Sequence, residues 1–163
     1  MYDIDSQVNS SNLALETLKL FRIIFKSSTK HFHEIEKLAG IGGASLWALA
    51  EIGESDQLTV SGLGKTMSIH MSTASNLAEK LELSGYLLRI RSNKDRRQVY
   101  LRLTDSGRAL IAKAPQPYRG ILPDALMKLD PKILIELNKD LSALILNMQL
   151  QHFKSAFEPL GKL

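Results

Sequence analysis

The sequence predicts a mainly α fold carrying one small β-hairpin, flanked by terminal helices that form a dimerisation lobe. Three observations predict it. Over most of the 163 residues, apolar side chains recur at three- and four-residue steps, the spacing of helix faces. Two short runs, Tyr86 to Arg91 and Gln98 to Leu103, alternate instead, and they bracket the charged turn Ser92-Asn93-Lys94-Asp95-Arg96-Arg97 as the strands of a hairpin would. The first and last helical segments are apolar over more of their circumference than cover for one small domain requires. The expected organisation is an arm and dimerisation helix over 1–40, a central lobe over 41–110, and a linker with dimerisation helices over 111–163.

In order, residues 1–10 are polar and read as an arm. A helix follows from Ser11 or Asn12, either of which can cap it, to about Leu38, with Leu15, Leu18, Phe21, Ile24 and Phe25 along one face. Leu13, Leu20 and Ile23 widen that face, and Gly40, Gly42 and Gly43 break the helix. The next helix runs from Ala44 to Ile52 or Gly53, with Leu46, Leu49 and Trp47 mostly buried. Thr59 can cap a short helix over Ser61 to Met67.

After a turn at Ser68-Ile69-His70 comes a helix to Ser84, capped by Ser68 or Ser72, in which Ala74, Leu77, Ala78 and Leu81 share one stripe. Gly85 stands where a C-terminal cap wants positive φ. In the hairpin, Tyr86, Leu88 and Ile90 alternate with Leu87, Arg89 and Arg91, and Val99, Leu101 and Leu103 alternate with Gln98, Tyr100 and Arg102. Thr104 caps a further helix, which Pro115, Pro117 and Pro123 should stop or kink near Ala114. The last helix starts at Asp130-Pro131, and Leu134, Leu137, Leu141, Leu144 and Met148 line it.

Two helices, a turn and a hairpin in this order read as a winged helix-turn-helix, a DNA-binding unit. The outer face of the second of those helices carries Ser72, Thr73, Ser75, Asn76, Glu79 and Lys80. Short hydrogen-bonding side chains at a helix N-terminus suit a major groove: the free amides and dipole favour phosphate, and Ser, Thr and Asn reach base edges. From Arg89 to Arg108 seven basic residues face only two acids, Asp95 and Asp105. That local excess exceeds the net charge of +4 of the whole chain, so the positive field concentrates on the hairpin. An arginine at its tip, Arg96 or Arg97, can enter a minor groove, with Lys94 beside it and Asp95 holding the Arg97 guanidinium. Thr59, Arg89 and Arg91 are placed to touch the DNA backbone.

Other chemistries find less support. With no cysteine there is no disulfide, thiolate metal site or thiol switch. The four histidines, His31, His33, His70 and His152, have no ligand or catalytic spacing; on a helix His31 and His33 diverge by about 200°. Phosphate loops, nucleophile elbows and paired carboxylates are missing, so no enzyme and no cofactor is expected. The N-terminus lacks the features of a signal peptide, and no run approaches the roughly 18 apolar residues of a membrane span. A cytoplasmic protein is expected.

Leu63 through Leu81, Leu83-Ser84-Gly85-Tyr86-Leu87, the tip Asp95-Arg96-Arg97 and Leu101-Arg102-Leu103-Thr104-Asp105-Ser106-Gly107 closely resemble the MarR family of bacterial transcription regulators. Gly43 to Leu49 share the likeness more weakly. The resemblance implies a homodimer that sets two recognition helices into successive major grooves of a pseudo-palindromic duplex while its wings reach the flanking minor grooves. It implies groove contacts for Ser72, Thr73, Ser75 and Asn76, with Asn76 standing where many relatives carry arginine, and roles for Asp95 and Arg97 as orienting acid and minor-groove arginine. It further implies a repressor released by a small, often aromatic effector held between the lobes, near the Lys30 to Leu38 end of the first helix and Trp47. A winged-helix module for protein partners, or a metal-responsive regulator of the same fold, remains the alternative.

Overall fold

The computed structural model describes residues 4–93, 95, 97–148 and 153–159. Its elements are α1 (Ile4–Ala39), α2 (Gly43–Glu54), α3 (Val60–Thr66), α4 (Met71–Leu83), β1 (Leu87–Arg91), β2 (Val99–Leu103), α5 (Asp105–Lys113), α6 (Ile121–Met127) and α7 (Pro131–Asn147), followed by a 3-10 turn, Phe153–Phe157. This is the mainly helical chain with one two-stranded hairpin that the sequence predicts.

Most boundaries follow from local chemistry. Thr59 accepts the Gly62 amide at the start of α3, Thr104 that of Gly107 at the start of α5, and Asp130 that of Lys132 at the start of α7, where Pro131 needs no hydrogen-bond acceptor. Gly85 ends the recognition segment with φ of 74°. As the prolines predict, α5 stops at Lys113 and Ala114 is its C-cap. A short helix, α6, then forms before α7 where the sequence predicts none: Pro123 breaks a helix interior, but it sits in the first turn of α6, where its missing N–H costs nothing.

Two expectations need correction. The first helix does not begin at Ser11 or Asn12 but runs through them from Ile4, since residues 4–12 hold no proline or glycine to break it. The cap of α4 is neither Ser68 nor Ser72. It is His70, without a side-chain bond, because Ser68 is spent on the turn at φ of 53° and Ser72 already lies inside the helix.

The core gathers the C-terminal end of α1 (Ile35), α2 (Leu46, Leu49, Ile52), α3 and α4 (Leu63, Leu77, Leu81) and the base of the hairpin (Leu87, Leu101). Gly64 lets α3 and α4 close on each other: a Cβ there would stand 3.3 Å from the Ile69 carbonyl oxygen and 3.5 Å from the Ala74 methyl. The Leu101 amide donates to the Leu58 carbonyl at 2.8 Å, tying the hairpin to the chain just before α3. Far from this core, the N-terminal half of α1 and much of α7 leave large apolar residues exposed, among them Leu13, Leu20, Ile23, Ile135 and Leu146.

Candidate nucleic-acid interface

α4 presents what a reading helix needs because its inner stripe is fully used. Ala74, Leu77, Ala78 and Leu81 are buried, so Ser72, Asn76, Glu79 and Lys80 are left exposed, with Thr73 and Ser75 half-buried on the flanks. Among the described residues, no hydrogen bond or ion pair engages the side chains of Ser72, Thr73, Ser75, Asn76 or Lys80. Their donors and acceptors face solvent. Thr59 differs, since its hydroxyl caps α3 at 3.1 Å from the Gly62 nitrogen and meets the Ser61 hydroxyl at 2.9 Å.

The hairpin pairs antiparallel with Leu87 opposite Leu103, Arg89 opposite Leu101 and Arg91 opposite Val99. Cross-strand partners share a face. The inward face of β1 is therefore that of Leu87, which is 1% exposed, while Leu88 at 53% and Ile90 at 39% look outward beside Arg102 and Tyr100. The alternation in β1 reads correctly as a strand, but only its first residue is buried. Arg89 consequently leaves the sheet on the core side. Its guanidinium meets the Glu82 carboxylate at 2.9 Å, at the end of α4, a partner that no motif pointed to. Arg91, one step further out, is exposed.

At the tip, the Ser92 amide donates to the Gln98 carbonyl and the Gln98 amide to the Asp95 carbonyl, each at 2.9 Å. The Ser92 hydroxyl accepts the Asp95 amide at 3.2 Å. The Asp95 carboxylate accepts the backbone amide of Arg97 at 3.0 Å. It thus holds the main chain of the tip; the expected bond from the Arg97 guanidinium to Asp95 is replaced by this one, because an Asx-type turn brings the i+2 amide closest. Arg97 itself is exposed. Lys94 and Arg96, also named from the sequence, lie outside the described residues.

Thr104 and Gly107 serve packing. The Thr104 hydroxyl donates to the Gly85 carbonyl at 2.7 Å while capping α5, and a Cβ on Gly107 would collide with the Tyr86 carbonyl. That part of the Leu-Thr-x-x-Gly signature locks the hairpin base to the end of α4.

Beside the lobe, α1 and α2 enclose an apolar cavity of about 300 Å³, walled by Phe21, Ile24, Phe25, Phe32 and by Leu122 of α6. The hydroxyl of Ser28, which faces it, is the buried side-chain polar atom without a hydrogen-bond partner among the described residues. The family resemblance implies such a cleft near Lys30 to Leu38 and Trp47, without a named lining. Trp47 instead donates its indole N–H to Glu51 at 2.7 Å, and Arg119 reaches the same carboxylate at 3.5 Å. Among the described residues no group of three or more His, Asp or Glu side chains could hold a metal ion; His31 is buried with Nε2 3.1 Å from the Pro117 carbonyl oxygen. No described helix is long and apolar enough to cross a membrane.

A helix packed at close range on α3, exposing small polar groups, beside an arginine-bearing hairpin, defines a winged helix-turn-helix protein. Residues 44–99 match the model of the MarR family. The HTH-type transcriptional regulator Hpr of Bacillus thuringiensis is 35% identical over 60 residues, which are 37% of this chain and 32% of that protein. The matched stretch thus spans about a third of the curated relative's length. Among solved structures, the transcriptional regulator BldR from Sulfolobus solfataricus is similar over 88% of this chain and 99% of its own, with 26% identity and a TM-score of 0.53. The S. aureus MepR–DNA complex covers 80% and 94%, at 21% identity and a TM-score of 0.55, a likeness of fold.

Proposed function

We propose that this protein is a dimeric, sequence-specific regulator that binds double-stranded DNA and acts in the cytoplasm as a repressor. The observation that carries the reading is the row of uncommitted polar side chains at the N-terminal end of α4, Ser72, Thr73, Ser75 and Asn76, where helix amides and dipole favour phosphate. The exposed Arg97, on a tip ordered by Asp95, is the minor-groove element; Lys80 acts with the recognition helix and Arg91 on the DNA backbone, and Lys94 and Arg96 belong with the tip by sequence. Arg89 and Thr59, already engaged by Glu82 and by the α3 cap, contribute less.

Dimerisation through α1 and α7 follows from their exposed apolar faces, which a second copy would cover. The cavity beneath Phe25 and Phe32 suits a small aromatic effector that satisfies the Ser28 hydroxyl. Such a ligand acts only if it binds the released form better than the DNA-bound one. The structural neighbour MepR is seen in complex with DNA, which supports the same reading here.

A gel shift on a pool of random palindromic duplexes tests the proposal. Enrichment of inverted half-sites about 10 bp apart, or a little more, is expected. Absent or sequence-independent binding at moderate salt would instead favour a protein-interaction module.

A further inference from the structure

The recognition helix starts, like α2 and α6, without a side-chain cap. α3, α5 and α7 each start with a side chain that accepts an amide, whereas His70, the cap of α4, makes no such bond. Two residues earlier Ser68 sits at φ of 53°, a region crowded for any residue with a Cβ. The Ser68 and Ile69 amides, bonded to the Lys65 and Gly64 carbonyls, tie this turn to α3, and at His70 a second anchor is added. That second anchor comes from residues 153–159. The His70 amide donates to the Phe157 carbonyl at 3.3 Å, and the two rings lie 4.8 Å apart between centroids, tilted by 47°. Two residues on, Pro159 is buried in a niche of Phe32, Ala44, Trp47, Arg119 and Pro123. Arg119 and Trp47 are themselves held by the buried Glu51.

We infer that the segment Phe153–Pro159 is a strap that positions the recognition helix, with Phe157 as the positioning residue. One end is seated where α1, α2 and α6 meet, the other on the residue that opens α4. A helix that reads base edges must enter the groove at a set angle, because hydrogen bonds weaken steeply once donor and acceptor misalign. Phe157 is 45% exposed, so the strap biases the first turn of α4 and does not hold up the fold. Its effect on DNA reading rests on the function proposed above; its effect on α4 does not.

The test uses the full chain and the variants Phe157→Ala and Phe157→Tyr. Without DNA, amide hydrogen exchange in peptides covering residues 67–76 should be about fivefold faster or more in the Ala variant, near wild type in the Tyr variant, and unchanged in α2 and α5. Unchanged exchange in α4 of the Ala variant would overturn the strap. On a selected duplex, Phe157→Ala should lose about three- to tenfold in affinity while its binding to random duplex stays the same, since phosphate contacts persist without the exact angle. An equal loss on both duplexes, or tighter specific binding, would contradict a positioning role. Should wild type itself prove unselective, the DNA reading fails and the exchange measurement still decides the strap.

Discussion

Arg97 and Gly107 show how single residues divide between function and fold. Arg97 is exposed at a tip whose main chain Asp95, Ser92 and Gln98 close, so its removal should leave the fold intact. Arg97→Ala is expected to cost roughly 1 to 3 kcal/mol in DNA affinity and to lower the salt slope by about one, with an unaltered melting temperature. Titrations at several salt concentrations check this, and unchanged affinity would remove the wing from the interface. Asn76→Ala should instead relax base preference at one position of each half-site, read by sequencing the selected duplexes. Gly107→Ala acts on the fold: its Cβ meets the Tyr86 carbonyl, a backbone atom that cannot swing aside, so the urea midpoint should fall by the equivalent of about 1 to 3 kcal/mol. Both residues were legible as parts of a motif. What Gly107 makes room for was not, because the collision is with a residue far away in sequence.

At the scale of elements, the caps of α3, α5 and α7 were legible, the starts of α1 and α4 were not, and strand faces were the hardest to read. Thr59, Thr104 and Asp130-Pro131 mark their helices by local chemistry alone, and the structure has them there. Around β1, Tyr86, Leu87, Leu88 and Ile90 are all apolar, so apolar residues fall on both faces and alternation alone cannot choose between them. Pairing of Leu87 with Leu103 chooses. Leu87→Ala should therefore cost about 2 to 5 kcal/mol in chemical denaturation, whereas Leu88→Ala should stay within about 0.5 kcal/mol. The same register turns Arg89 toward Glu82 and away from the expected backbone contact. The 3-10 turn beside His70 could not be foreseen either, since the contact joins residues nearly ninety positions apart.

For the whole molecule, α1 and α7 set the largest question. Their outer apolar faces were legible from the breadth of their stripes, and in the single chain Leu13, Leu20, Ile23, Ile135 and Leu146 remain exposed. Replacing Leu20 and Leu146 together by glutamate should yield a monomer by light scattering, with the central lobe still folded and affinity for a palindrome greatly reduced. In the proposed dimer, two copies of α4 and two wings read one duplex together. Hydroxyl-radical footprinting of the wild-type protein on a selected duplex measures that most directly. Protection should appear as two symmetric blocks about one helical turn apart, with flanking minor-groove protection that vanishes in Arg97→Ala. A single unsymmetric block, or flanks that persist in that variant, would contradict it.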